Sequence, residues 1–253
     1  SQAVVKEEPA SAGAKASNNC LAGGADDRKN QSYRYIYGAF IIKNGNYLTV
    51  KKQILISSGK YAHSSPDVAS DGKDYLVAWR YKDTSGDYIQ AKGVEGAGLN
   101  SRSVSRVSPL TLTETGNPRV AFNGNSHYLV VWEDYRDKKW DIYGARLSQK
   151  GVMVTSDAKA NIKVAVAGKN ERAPALACHK GICLVAYTYP LISLVNQIHV
   201  RRMEFNGGSY TMPDSAGVVV GSSATTVGAP AVPVDQGPRR FVLAWRYSHT
   251  TTK

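Results

Sequence analysis

The chain has 253 residues, 42% of them hydrophobic, and carries 32 Lys and Arg against 20 Asp and Glu, a formal net charge of +12. That length suits one large all-β domain or two ordinary domains, with enough apolar residues for a core. No run of about 18 apolar residues occurs, which excludes a membrane-spanning helix, and no basic-then-apolar leader opens the sequence.

Residues 1–30 contain no aromatic residue and no Ile, and are rich in Ala, Ser, Gly and Asn. Such a composition is poor material for a core, so a flexible N-terminal tail is expected there. Its charges cancel: Lys6, Lys15, Arg28 and Lys29 oppose Glu7, Glu8, Asp26 and Asp27. The positive excess therefore belongs to residues 31–253, where it favours acidic partners.

From residue 31 onward short apolar runs alternate with Gly-containing turns. The stretch "YRYIYGAFIIKNGNYLTVKKQILISSG" reads as two strands around a turn. Next come "SPDVASDGKDYLVAWRYKDTSGDYIQAKGVEGAG" from Pro66, "NPRVAFNGNSHYLVVWEDYRDKKWDIYGARLSQKG" from Pro118, "APALACHKGICLVAYTYPLISLVNQIHVRRMEFNGG" from Pro174 and "APAVPVDQGPRRFVLAWRYSHTTTK" from Pro230. The prolines are 52, 56 and 56 residues apart. Each unit offers four short strands with turn residues between them, the sequence form of a propeller blade. The last unit stops after its second strand, while residues 33–57 match the second half of a unit: Ile36, Tyr37, Gly38 and Ala39 align with Ile142, Tyr143, Gly144 and Ala145. The expected fold is therefore all-β, a four-bladed β-propeller over 31–253, with the unit at Pro230 completed by residues 33–57 as a composite blade that hides two sheet edges.

The unit resembles a repeat of secreted and surface proteins of bacteria and archaea, with a pattern near "PxVAxGxxYLVVWxDxRxxxDIYGARVxxxG". The resemblance covers about residues 31–253 and implies a β-propeller and a secreted or cell-surface setting. It is unspecific for activity. The sialidase Asp box, Ser-x-Asp-x-Gly-x-Thr-x-Trp, is absent.

Trp79, Trp132, Tyr187 and Trp245 share one repeat position, as expected of blade-to-blade packing, each burying roughly 150–250 Å². Function is sought where the copies differ, in the loops after the second strands. Trp140 lies outside the repeated position, among Arg136, Asp137, Lys138, Lys139 and Asp141. A flat apolar ring amid carboxylates and a guanidinium is what a sugar site needs. Arg80, Tyr81, Arg246 and Tyr247 occupy the corresponding loops of other units and complete the candidate ligand set. The expected partner is a glycan, including an anionic polysaccharide, bound by weak repeated sites whose avidity carries affinity. Nucleic acid is not expected.

Cys178 and Cys183 flank a Lys180–Gly181 turn and face each other at disulfide distance if the hairpin forms, which implies an oxidising compartment. Cys20 is left over. The apolar stretch after Pro190, with Leu191, Ile192, Leu194 and Val195, and Cys20 are the candidate contacts to another protein chain; the alternative is that the stretch lengthens a strand. "DTSGD" (Asp83 to Asp87) and "EDYRD" are the places for calcium, but neither has EF-hand spacing and both have positive charge nearby. No metal or other cofactor is expected. The five His residues form no HExxH spacing, no Gly-x-Ser-x-Gly occurs, and the adjacent Glu133 and Asp134 point to opposite sides of a strand. The sequence thus points to a non-catalytic, lectin-like module. An assembly domain is one alternative; a propeller glycosidase or polysaccharide lyase with carboxylates drawn from several blades is another.

Overall fold

The computed structural model describes residues 6–14, 19–27, 33–97, 101–109, 113–159, 161–192, 195–206, 208–214, 216–222, 230–231 and 241–246. The strands are β1 (Lys6–Ala14), β2 (Asn19–Asp26), β3 (Tyr35–Asn44), β4 (Tyr47–Leu55), β5 (Ala62–Ser70), β6 (Tyr75–Asp83), β7 (Gly86–Val94), β8 (Ser101–Arg106), β9 (Thr115–Phe122), β10 (His127–Asp134) and β11 (Asp141–Ser148). After the short helix α1 (Thr155–Lys159) come β12 (Ile162–Ala165), β13 (Arg172–His179), β14 (Ile182–Ile192), β15 (Val195–Asn206), β16 (Ser209–Thr211) and β17 (Val218–Ser222). They form four antiparallel sheets in chain order: β1–β4, β5–β8, β9–β12, and β13–β16 with β17 also paired to β15. The first strands β1, β5, β9 and β13 touch in succession, so the sheets are arrayed about these inner strands.

Apolar runs explain the packing. Tyr75–Trp79 of β6 and Tyr128–Trp132 of β10 are buried at every position, because the second and third sheets each have a neighbouring sheet packed on both faces. Alternation decides which neighbour is met. Trp79 packs with Leu21, Ile36 and Phe40 of the first sheet. Trp132 packs with Ala78, Ile89 and Ala91 of the second, and Tyr187 with Leu129, Val131 and Ile142 of the third. Each unit's aromatic residue thus covers the sheet before it.

Two expectations are corrected here. Residues 6–26, expected as a flexible tail, contain β1 and β2, and these complete the sheet of β3 and β4. The strands form because small residues suffice when a bulky neighbour packs on them: Ala10, Ala12, Ala14 and Ala25 lie against the cluster of Trp79, Tyr75 and Val77. Pro9 is the proline of this unit, 57 residues before Pro66, and the pairing slips beside it as it does at Pro66, Pro118 and Pro174. The composite sheet is corrected with it. Residues 33–57 are already paired, and the described part of the unit at Pro230 forms a bridge of its own, Ala231 with Ala244. That bridge repeats the Ala175–Ala186 pair of the fourth sheet; Phe241 and Leu243 rest on that sheet, and the Trp245 indole fills the space over Gly221.

Within the first unit the aromatic position is Gly24, paired with Tyr37 as Trp132 is with Tyr143. A trough of about 410 Å³ lies there, lined by Ala22, Gly24, Tyr37 and Gln53. The Cys178–Cys183 disulfide forms across the β13–β14 hairpin, as the sequence predicts, and Cys20 is a free exposed thiol. No helix among the described residues is long and apolar enough to cross a membrane.

Candidate functional site

Strand direction places one end of every sheet on a common face. Asp134, at the end of β10, pairs with Thr115 at the start of β9 and with Asp141 at the start of β11. The hairpins between second and third strands therefore share a face with the beginnings of the inner strands. On this face each inner strand is bulged. Ser65, Asn117 and Ala173, each just before the repeated proline, have φ of +51°, +46° and +53°. A non-glycine residue before proline is strained in this conformation. The bulges turn the following side chains out of the ladder.

A cavity of about 310 Å³ opens where the first three inner strands meet, lined by Ser11, Ser65, Asp67, Asn117 and Arg119 with Pro9 and Pro66. Asp67 Oδ2 accepts a hydrogen bond from the Val120 N–H of the next sheet at 2.8 Å. Burial raises the Asp67 pKa, while that N–H and the nearby Arg119 charge oppose the rise. Arg119 Nη1 donates to Pro118 O at 2.9 Å. A carboxyl made more basic by burial, a guanidinium, an amide and two hydroxyls can transfer a proton and bind a polyhydroxylated or anionic ring.

The β10–β11 hairpin holds four of the candidate residues together. Arg136 is engaged by buried Asp134, with Nε–Oδ1 at 2.9 Å, and its guanidinium lies 3.8 Å over the Tyr143 ring. Asp137 accepts the Tyr143 hydroxyl at 2.7 Å. Trp140 carries the Arg172 guanidinium at 4.3 Å on its ring and has Tyr135 at 5.2 Å. Asp141 is buried and faces Glu171 rather than solvent.

The remaining candidates lie apart. Arg80, on the second sheet, pairs with Asp87, and Tyr81 meets His63 edge-on at 4.8 Å. His63 is buried in this aromatic nest, neither ring nitrogen has a hydrogen-bond partner, and burial lowers its pKa to about 4. Arg246 is exposed at the end of the described segment; Tyr247 and Leu194 lie outside the described residues. Leu191 is exposed at a hairpin tip, and Ile192 pairs with Val195, so the apolar stretch lengthens β14 and β15.

Asp67, Arg119, Glu171 and Arg172 are absent from the sequence-derived set. A signal for the first two is present. The residue after each repeated proline is Ala10, Asp67, Arg119, Ala175 and Ala231, so two neighbouring units replace Ala with opposite charges.

No protein-family model and no curated protein sequence matches the chain. Solved structures do match, at low identity. A polysaccharide lyase of family PL25, an ulvan lyase, aligns at a TM-score of 0.63 and 7% identity over 97% of this chain and 62% of that one. A GH43_1 enzyme from Xanthomonas citri aligns at 0.53 and 13% over 96% of this chain and 82% of that one. A subtype N10 neuraminidase-like protein of A/little yellow-shouldered bat/Guatemala/060/2010 aligns at 0.51 and 13% over 83% of this chain and 58% of that one. The chain thus spans less than two thirds of the lyase and of the neuraminidase-like protein. The shared fold is a β-propeller. The expectation that the chain is not an enzyme is overturned by these neighbours, since a glycoside hydrolase-family enzyme and a polysaccharide lyase carry its fold.

Proposed function

We propose that the chain is the substrate-holding part of a secreted polysaccharide-active enzyme, and that the cavity between the inner strands takes an anionic sugar. The observation that carries this reading is that Asp67 and Arg119 line that cavity together, at a repeat position where two neighbouring units replace Ala with opposite charges. The fold of the neighbours and the net charge of +12 support it. The disulfide supports an oxidising compartment.

Among the described lining residues one carboxyl stands beside one guanidinium, rather than two facing carboxyls. Displacement at an anomeric carbon uses two carboxyl groups about 5–9.5 Å apart. The pair here suits elimination from a uronate better. Arg119 neutralises the sugar carboxylate, and the Asp67 carboxylate, made more basic by burial, removes the proton on the adjacent carbon. That electron pair forms the carbon–carbon double bond as the bond to the leaving glycosidic oxygen breaks, and this oxygen takes up a proton from solvent water. On the rim, Trp140 with Arg172, and Tyr81 with Arg80, provide outer contacts for the polymer.

The test is incubation with uronate-containing, sulfated and neutral polysaccharides, following new reducing ends and the ultraviolet absorbance of an unsaturated product. Both signals are expected on an acidic polymer, and Asp67→Asn and Arg119→Ala should each lower kcat/KM at least about 100-fold. Reducing ends without absorbance would replace elimination by hydrolysis. Neither signal on any polymer would sink the reading.

A further inference from the structure

Asp141 opens β11 in the third sheet, and Glu171 stands just before β13 in the fourth. Both are buried, at 2% and 0% exposure. Glu171 Oε1 accepts the Ala167 N–H at 3.2 Å, while Asp141 Oδ1 and Glu171 Oε2 find no donor. The two carboxyl groups interact directly, each entering the other's titration. One proton held between them would pair both orphaned oxygens at once.

The pair is peculiar to this junction. The position of Asp141 is Tyr35, Tyr88 or Gln197 in the other sheets, and that of Glu171 is His63 or Thr115. Its chain neighbours are also joined. Trp140, just before Asp141, donates its N–H to Asn170 Oδ1 at 3.0 Å. Arg172, just after Glu171, lies on the Trp140 ring and donates to Glu133 Oε2 at 3.1 Å. The segments 140–141 and 170–172 thus form a clasp with the carboxyl pair at its centre.

We propose that this clasp is a one-proton latch: loss of the shared proton leaves two buried carboxylates in contact, and their repulsion separates Trp140 from Asn170 and Arg172. The charged and titratable groups around the pair are Asp134, Asp137 and Lys139 on the β10–β11 side and Tyr187 on β14. Lys139 opposes the repulsion; the two aspartates add to it. Burial is the largest cause lifting the Glu171 pKa, to about 7, with Asp141 a further one. The latch is closed in mildly acidic solution and opens as pH rises through neutrality. Opening frees an indole face and a guanidinium on the rim. The device does not depend on the elimination chemistry.

The test is nuclear magnetic resonance of the intact chain across pH 5–9. The Glu171 carboxyl carbon is followed together with the Trp140 indole N–H, the latter assigned by Trp140→Phe. Both signals are expected to shift with one midpoint near 7, and Asp141→Asn, which keeps a hydrogen bond but removes one charge, should abolish the indole transition. Titration of Glu171 below about pH 5.5, in the ordinary carboxyl range, would overturn the proposal. So would an indole transition that persists in Asp141→Asn. If that variant does not fold, the wild-type midpoints decide alone.

Discussion

The buried carboxylate of Glu133 accepts a hydrogen bond from the Ala173 backbone N–H at 2.5 Å, 40 residues along the chain and on the next sheet. Ala173 is the left-handed residue before Pro174, so a side chain at the end of one sheet secures the strained bulge of its neighbour. Asp67 also reaches the next sheet, accepting the Val120 N–H of β9 beyond its bulge. Glu133→Ala leaves the Ala173 N–H and Arg172 without their acceptor and should lower stability by about 2–4 kcal/mol. Urea unfolding of the variant checks this; Glu133→Gln, which keeps one acceptor oxygen, should lose less.

Gly124 and Gly45 separate two reasons for a glycine. Both have positive φ, +84° and +60°. A Cβ on Gly124 would lie 2.8 Å from the Lys180 backbone nitrogen of the neighbouring sheet, whereas one on Gly45 meets nothing within 4 Å. Gly45→Ala should cost about 1 kcal/mol for the conformation alone. Gly124→Ala carries that term plus the clash and should cost about 2–4 kcal/mol, read as the larger drop in Tm.

Two buried groups act in opposite senses between about pH 4 and 7. The folded-state pKa of His63 is lowered to about 4, so between pH 6.5 and 4 the unfolded chain binds more protons and stability falls as pH falls. His63→Phe should flatten that limb. Glu171 has the opposite sign: its pKa is raised to about 7, the folded chain binds more protons, and stability falls as pH rises from about 4.5 to 7. Glu171→Gln should remove that decline. Denaturant midpoints at half-unit pH steps test both.

Reduction of the disulfide should be tolerated. Cys178 and Cys183 are five residues apart in a hairpin already held by backbone pairing. A loop this short restricts the unfolded chain by only about 2 kcal/mol. Urea midpoints with and without reductant should differ by about that amount, and the four-sheet circular dichroism signature should survive.

The repeat was legible from Pro66 onward because its strands are written in aliphatic and aromatic residues, and the position of Trp79, Trp132 and Tyr187 reads as packing in the structure as in the sequence. The unit at Pro9 was not legible, since Gly24 stands at the aromatic position and Ala and Gly fill the strands around it. Its burial depends on Trp79 and Tyr75, which lie 50 or more residues away. The site followed the same rule. The hairpin residues Trp140 and Arg136 stand out in sequence by their types, but Arg136 is engaged with Asp134 and Tyr143. Asp67 and Arg119 stand out only when units are stacked, because the cavity between them is made by strands 52 residues apart.

The polarity of the aromatic packing has a consequence for the order of events at the ribosome. The core of each sheet is covered by a residue of the following unit: Leu21 and Phe40 wait for Trp79, Ala78 and Ile89 for Trp132, Val131 and Ile142 for Tyr187. These aromatics come 24, 26 and 22 residues after the last strand of the sheet each one covers, and synthesis proceeds at about 5–20 residues per second. Each of these newly made sheets therefore stands with one greasy face open for roughly 1–5 s before its cover is made, and translation speed sets how long a nascent chain offers that face to chaperones or to other nascent chains.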